Sequence, residues 1–265
     1  MVIRIDKMLA DAGLGTRTEV KKLLRTGTVS VNGSAVKDPG YKVDTVRDSC
    51  TVGGRVIGHS EFEYYMLYKP AGVVSAVSDG RDKTVIQLIK EEKRRDLFPV
   101  GRLDKDAEGL LLITNDGDLT HRLLSPGMNT EKQYYIRYSG EPMDASDVEA
   151  FAAGIDIGDD KPAKPARLEL TGDDIADTQL TSDMTADDNS GVAAVLHTAM
   201  VTVTEGRFHE VKRLFEARGR HVEYLKRVRM GSLRLDETLS PGEYRRLTAA
   251  ELNQLKVSDT AAIAD

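Results

Sequence analysis

The sequence predicts an α+β protein in two parts, with strands outnumbering helices after the first sixty residues. Three observations carry that reading. Short segments rich in Val, Ile, Leu, Thr and Tyr recur, among them 63–68, 110–113, 131–138 and 199–204, and several end at Gly, Pro, Asn or Asp. Turn signals join these segments more often than long crossovers, which favours mostly antiparallel pairing. A length of 265 residues with 40% hydrophobic content suits one moderate domain with a normal core and a small appendage.

Taken in order, Ile5, Met8 and Leu9 lie at helical spacing, and the helix should stop at Gly13 or Gly15. Thr16-Arg17-Thr18-Glu19 has the form of a capping box, with Thr16 holding the first amides and Glu19 reaching back. Val20, Leu23 and Leu24 form the apolar stripe of that second helix, and Arg17, Lys21, Lys22 and Arg25 occupy its other faces. Thr28 to Val31 is a short strand, Asn32-Gly33 a two-residue hairpin turn, and Ala35-Val36 the return. Residues 39–62 hold turn signals (Pro39-Gly40, Gly53-Gly54) and are expected to lead into a linker. On charge alone, the basic residues of this unit suit a solvated helix face as well as an RNA contact.

The larger part opens with the strand Glu63 to Tyr68, broken by Lys69-Pro70-Ala71-Gly72. Val73 to Val77 reads as another short strand, and Val85, Leu88 and Ile89 as a helix running into the charged stretch 91–96. Phe98 to Leu103 and Leu110 to Ile113 are short apolar segments, the second a buried strand closed by Asn115-Asp116-Gly117. Between them stand Asp104, Asp106 and Glu108, followed by Gly109. A loop fixed between two core strands can hold a reactive side chain rigidly, although most loop aspartates are simply solvated. Leu119, Leu123 and Leu124 suggest a helical turn or two carrying His121 and Arg122.

Glu131 to Tyr138 is a strand dense in tyrosine, whose alternation sends Tyr134, Ile136 and Tyr138 to one face and Tyr135 and Arg137 to the other. Asp144 to Gly154 reads as a helix, and Lys161 to Leu170 contains a strand. Residues 172–192 carry six acids and no base, which reads as a mobile insertion whose charge keeps it off RNA. Ala199 to Thr204 is a strand, and Val211, Leu214 and Phe215 mark a helix closed by Gly219. Leu225 to Leu235 supplies further strands, Pro241 to Arg246 a turn, and Thr248 to Leu255 a last helix. The expected domains are 1–60 and 61–257, with a disordered tail at 258–265.

The bulk properties narrow the function. No apolar run reaches the roughly 18 residues of a membrane span, and Met1 to Asp6 lacks a secretory signal's long apolar segment. The single cysteine, Cys50, excludes an internal disulfide framework and a cysteine-rich zinc site, so a reducing cytoplasm is expected. A net charge of −6 argues against nucleic acid, but its distribution does not: residues 1–60 and 199–257 each carry +4. From Arg207 to Arg229, eight Lys/Arg face three Glu. RNA could be gripped where these two basic segments meet.

Gly101-Arg102-Leu103-Asp104, Glu108-Gly109-Leu110-Leu111 and Thr114-Asn115-Asp116-Gly117 resemble the signature of the RsuA-type ribosomal RNA pseudouridine synthases. Lys69-Pro70-Ala71-Gly72, Lys132-Gln133-Tyr134 and Glu205-Gly206-Arg207-Phe208-His209-Glu210-Val211-Lys212-Arg213 extend the resemblance over most of the chain, with Glu210 where Gln is usual. Arg4 to Leu9 through Val29 to Gly33 resembles the S4-like (alpha-L) RNA-binding module of a small-subunit ribosomal protein.

The resemblance implies the pseudouridine synthase fold, a mixed and mostly antiparallel sheet with the Asp104 loop in its central cleft, with the S4-like module tethered beside it. It makes Asp104 the catalytic carboxylate, has Tyr134 stack on the target base, and pairs Lys212 with Asp104. Arg102 is expected to fill the gap left by the flipped uridine. Arg17, Lys21, Lys22 and Arg25 would contact phosphates, with Arg207 and Arg213 adding RNA contacts. His121 receives no catalytic role. The implied partner is ribosomal RNA or a small-subunit assembly intermediate, bound by a monomer, and the chemistry requires neither metal nor cofactor. Asp104 could act as covalent nucleophile or as base in a stepwise elimination. Val211 to Phe215 looks slightly closer to the 16S (small-subunit) enzymes than to the 23S (large-subunit) ones. The rivals outside catalysis of this kind are a non-catalytic RNA-binding assembly factor and a metal-dependent nuclease built on Asp104, Asp106 and Glu108.

Overall fold

The computed structural model describes residues 2–57, 62–90, 96–172, 175–177 and 194–257. The N-terminal unit runs β1 (Val2–Arg4), α1 (Ile5–Asp11), α2 (Arg17–Arg25), β2 (Val29–Val31), β3 (Ser34–Ala35), β4 (Lys42–Asp44), β5 (Cys50–Val52) and β6 (Arg55–Ile57). The capping box at Thr16 and Glu19 forms as its sequence requires. Asn32 (φ 51°) and Gly33 (φ 81°) both take the positive dihedrals that a two-residue hairpin turn needs. Residues 42–57 are not a linker. β4 pairs with β1, and β5 lies between β2 and β6, so these strands complete a separate core in which Val43 and Cys50 are buried beside Ile5, Leu9, Val20 and Leu24. Three-residue strands are too short for alternation to announce them.

The larger unit contains β7 (Tyr64–Lys69), β8 (Phe98–Pro99), β9 (Glu108–Thr114), α3 (Gly117–Leu124), β10 (Lys132–Ser139), α4 (Ala145–Ala153), β11 (Arg167–Leu170), β12 (Ile175–Asp177), β13 (Ala194–Val203), α5 (Glu210–Glu216), β14 (His221–Met230), β15 (Leu233–Arg234), β16 (Tyr244–Arg246) and α6 (Ala249–Val257). One sheet, ordered β11-β13-β10-β14-β9-β7-β16, holds the unit together, with β12, β15 and β8 attached at its margins. Pairing is antiparallel throughout the described strands except where β9 meets β14. Helices α4 and α5 cover one face, where Phe151, Leu214 and Phe215 pack on Tyr134, Ile136, Tyr138 and Val201. On the other face, α3 and α6 cover Met66, Leu110 and Leu112 with Leu119, Leu123 and Leu255. Strand β9 is therefore buried on both sides, which is why it reads as an unbroken apolar run.

Four readings need correction or restriction. Residues 73–77 form no strand: the Val74 amide bonds to Lys83 O, Val74 O accepts from the Val85 amide, and Ser75 turns to the Asp104 loop. Val85–Leu88 is a single 3-10 turn. The segment read as a turn at 241–246 includes β16, which pairs with β7. At 172–192, β12 pairs with β13 through Ile175↔Leu196, while most of the expected mobile insertion, and the expected tail at 258–265, lie outside the described residues.

The parallel junction depends on Gly109. Its φ is +103°, and a Cβ there would sit 2.3 Å from the Arg227 carbonyl oxygen on β14. Gly109→Ala should therefore force the two strands apart, with about 1–3 kcal/mol from the dihedral alone. Urea unfolding is expected to show that loss, together with reduced turnover, since the Asp104 loop leads directly into this strand. Wild-type stability in the variant would contradict the account.

Candidate active site

The Asp104 loop is held from below by segment 69–75. Lys69, at the end of β7, is fully buried, and its Nζ donates to the carbonyls of Pro70 (3.1 Å), Lys105 (3.2 Å) and Ala107 (2.7 Å). The Gly72 amide donates to Lys105 O (2.7 Å). Ser75 Oγ donates to Leu103 O (2.8 Å) and accepts from Leu103 N (3.0 Å). Residues 103–107 are thus clamped at every second position, and Asp104 is fixed between the clamps. Burial lowers the Lys69 ammonium to about 8, and the nearby carboxylates of Asp106, Asp104 and Glu108 oppose that fall.

Asp104 opens on a pocket of about 560 Å³, lined also by Arg102, Lys132, Tyr134, Lys164, Arg207 and Arg227 among others. That volume suits a single nucleoside. Its apolar walls come from Leu123, Leu124, Pro126 and Phe208. Tyr134 is 7% exposed. Burial holds its phenol above the ordinary value, while the adjacent Arg227 guanidinium pulls the other way, so the hydroxyl keeps its proton at neutral pH. Arg227 is 2% exposed, its Nε donates to Leu110 O (2.8 Å), and its Nη2 is buried without a hydrogen-bond partner. His209, in the left-handed conformation (φ 50°), caps α5 and places Nε2 3.7 Å from Asp104 Oδ1. Its ring stacks on exposed Phe208 at 3.8 Å between centroids.

Of the site residues read from the sequence, the structure brings Arg102, Asp104, Tyr134 and Arg207 to one pocket, with Arg102 exposed at its edge. Lys212 is placed otherwise: its Nζ contacts Asp106 Oδ2 (2.5 Å) instead of Asp104, and that ion pair, working against burial, brings Asp106 below the usual carboxylate range. Arg207 and Arg213 both have partners within the protein. Arg207 bonds Glu205 (3.1 Å), Asp159 (3.3 Å) and the carbonyls of Lys161 (2.7 Å) and Pro162 (2.9 Å). Arg213 bonds Asp159 (2.6 Å) and Ile157 O (2.5 Å), so both guanidiniums tie α5 and its preceding loop to residues 157–162. Arg17, Lys21, Lys22 and Arg25 all lie exposed on α2.

The sequence reading gave no site role to Lys69, His209 or Arg227. Lys69 could have been noticed as a lysine closing an otherwise apolar strand, and His209 lies inside a motif already quoted. Arg227 carries no local signal, because its burial is set by the Gly109 junction. Asp104, Asp106 and Glu108 do not converge on a cation: Asp106 pairs with Lys212 and Glu108 accepts from the Tyr224 hydroxyl (2.8 Å). Among the described residues no group of three His, Cys, Asp or Glu is arranged to hold a metal.

Comparison with known proteins decides the family. The RNA pseudouridylate synthase sequence model matches residues 63–217, and the S4 domain model matches residues 3–48. The chain belongs to the RNA pseudouridylate synthase family. Among its relatives, an uncharacterized RNA pseudouridine synthase of Bacillus subtilis is 40% identical over 254 residues, covering 96% of this chain and 98% of the relative. Ribosomal small subunit pseudouridine synthase A of Vibrio vulnificus is 38% identical over 256 residues, covering 96% and 99%. A crystal structure described as a pseudouridylate synthase aligns with a TM-score of 0.62 at 33% identity, covering 96% of this chain and 99% of that one. The synthase is therefore an isomerase acting on RNA, with an S4 domain at its N-terminus.

The Lys69 clamp generates a test. Lys69→Met keeps the length and removes the donor, leaving carbonyls of the Asp104 loop unpaired at about 1–3 kcal/mol. Single-turnover rates should fall by about 100-fold through misplacement of the carboxylate, while RNA affinity changes little. Unaltered turnover with the lost stability would show that the clamp does not position Asp104.

Proposed function

We propose that this synthase converts one uridine of small-subunit ribosomal RNA to pseudouridine, with Asp104 acting at the sugar. The observation that carries the assignment is the seating of Asp104, clamped on both sides and facing a nucleoside-sized pocket beside a buried Tyr134. In the reaction the N1–C1′ bond breaks, the uracil rotates, a C5–C1′ bond forms, and the C5 proton is lost while N1 gains one. Atoms and electrons balance within substrate and water. The separated base must be kept from water, which the pocket's apolar walls favour.

In this reading Tyr134 stacks on the flipped base, and its hydroxyl relays the proton leaving C5, passing its own proton to solvent as it accepts that one. Arg102, exposed at the pocket mouth, fills the space left in the RNA stack. Arg17, Lys21, Lys22 and Arg25 hold phosphates through the S4 domain, positioning the RNA without reading its sequence. Lys212 supports the loop through Asp106 rather than by contact with Asp104. The small-subunit assignment draws on relatives named ribosomal small subunit pseudouridine synthase A at 33–38% identity. We place the activity in the cytoplasm, in a monomer acting on ribosomal RNA or an assembly intermediate.

Asp104→Asn should abolish tritium release from RNA labelled at uridine C5 while leaving RNA binding nearly intact. Retained turnover would remove Asp104 from the chemistry. Mapping pseudouridine in ribosomal RNA from cells lacking this protein should show one missing site in the small-subunit RNA; a missing site in the large-subunit RNA would reassign the substrate.

A further inference from the structure

The loop preceding α5 and the first residue of that helix carry two acids that the proposed reaction does not use. Glu210 opens α5 and is 4% exposed. Its Oε2 accepts from the Arg207 amide (3.1 Å), while Oε1 is buried with no partner. Glu205, on the same loop, accepts from the Lys164 amide (2.7 Å) and from Arg207 Nε (3.1 Å). Both carboxyl groups hold the same residue, Glu205 at the Arg207 guanidinium and Glu210 at the Arg207 amide, which brings the two acids together.

Two charged carboxylates so close in a dry site repel, and a single shared proton removes the repulsion while giving Oε1 of Glu210 a hydrogen to donate. We infer that Glu205 and Glu210 act as one carboxylate–carboxylic acid pair, Glu210 donating to Glu205, and that this pair positions loop 205–209 beside the Asp104 pocket.

The surroundings decide which acid keeps the proton. Burial alone would raise both. At Glu205 the Lys164 amide and the Arg207 guanidinium outweigh it and bring the carboxyl below the usual range. At Glu210 burial prevails, helped by the charge of Glu205, and the carboxyl is pushed up to about 7 despite the Arg207 amide. The groups facing Glu210 from elsewhere are Lys132 and Tyr134 on β10, and Arg102, Asp104 and His209 around the small cavity it shares with the main site. The Lys132 ammonium is committed to Thr130 O (3.0 Å), so it acts on Glu210 through space only. A glutamine at this position would donate the same bond at every pH, whereas a glutamic acid does so only while protonated.

The pair holds three parts of the pocket wall together. Glu205 ties down Lys164, Glu205 and Glu210 both hold Arg207, and His209 lies between them beside Asp104. Losing the proton from Glu210 would loosen this wall without touching the catalytic carboxylate. Neither acid is a catalytic residue; they are positioning residues, and their effect should appear as a pH dependence.

The test compares wild type with Glu210→Gln. For turnover, kcat/KM of tritium release is followed from about pH 6 to about pH 8.5. The ratio of variant to wild type should rise about tenfold across that range, with its midpoint near 7. For stability, thermal unfolding is followed from about pH 5 to about pH 8. Because Glu210 in the folded chain sits above its unfolded value, ionising it penalises the fold. The penalty is absent below the ordinary carboxylate range and complete above about 7. The Tm of wild type should therefore fall relative to the variant as pH rises. Parallel Tm curves would overturn the pair, and parallel activity profiles with diverging Tm curves would overturn its positioning role. The inference rests on the proposed reaction only for the activity readout. If neither protein makes pseudouridine, that reaction fails, while the Tm curves still judge the pair.

Discussion

The close approach of β9 and β14 at Gly109 and Arg227 is the constraint on which the site depends. Only a residue without a Cβ lets the two backbones meet there. Their parallel register sets Arg227 opposite Gly109, and the antiparallel register of β14 with β10 sets the same Arg227 beside Tyr134. The parallel register places the Asp104 loop, which enters β9, at the mouth of the pocket those side chains line. A sheet assembled only from local hairpins would not bring these segments together, because the parallel pair joins residues more than one hundred positions apart.

Around that junction Lys69, Arg207 and Arg213 each meet several acceptors within the protein. Lys69 is satisfied by three carbonyls, which is how a buried ammonium can be tolerated and also why the loop it grips is rigid. Arg207 and Arg213 converge on Asp159 and on nearby carbonyls, fixing α5 to the loop before β11. These basic residues contribute to the local positive charge seen in the sequence, and each is also held by carboxylates and carbonyls of the protein. The basic side chains left exposed on α2 belong instead to the S4 domain.

Much of this was legible in the sequence, for identifiable reasons. The Thr16–Glu19 cap, the Asn32-Gly33 turn and the alternation of Tyr134, Ile136 and Tyr138 are local rules with local outcomes, and all three appear in the structure. Asp104, Tyr134 and Arg102 were readable through the family motifs and meet in one pocket. Strands β4, β5, β6 and β16 were missed because three residues give no period. Val73 to Val77 was misread because an apolar run does not reveal where its backbone bonds go. The Lys212 partner was misassigned because sequence position specifies which helix carries the lysine but not which of three nearby carboxylates its flexible chain meets.

Those three carboxylates show how environment, rather than residue type, separates roles. Asp106 is 71% exposed at its side chain and occupied by Lys212, so its charge is neutralised at the rim. Glu108 enters β9 and is held by the Tyr224 hydroxyl on the neighbouring β14, which ties it to the sheet. Asp104 is 27% exposed at its side chain, with His209 as the basic group 3.7 Å away. The loop clamps act on its backbone neighbours, Leu103 and Lys105, leaving the carboxylate itself turned to the pocket. A carboxylate held by its backbone, with the His209 ring 3.7 Å from one oxygen, can approach a bound sugar without first giving up a short ion pair. The other two would have to give up a closer partner to do the same, the Lys212 ammonium for Asp106 and the Tyr224 hydroxyl for Glu108.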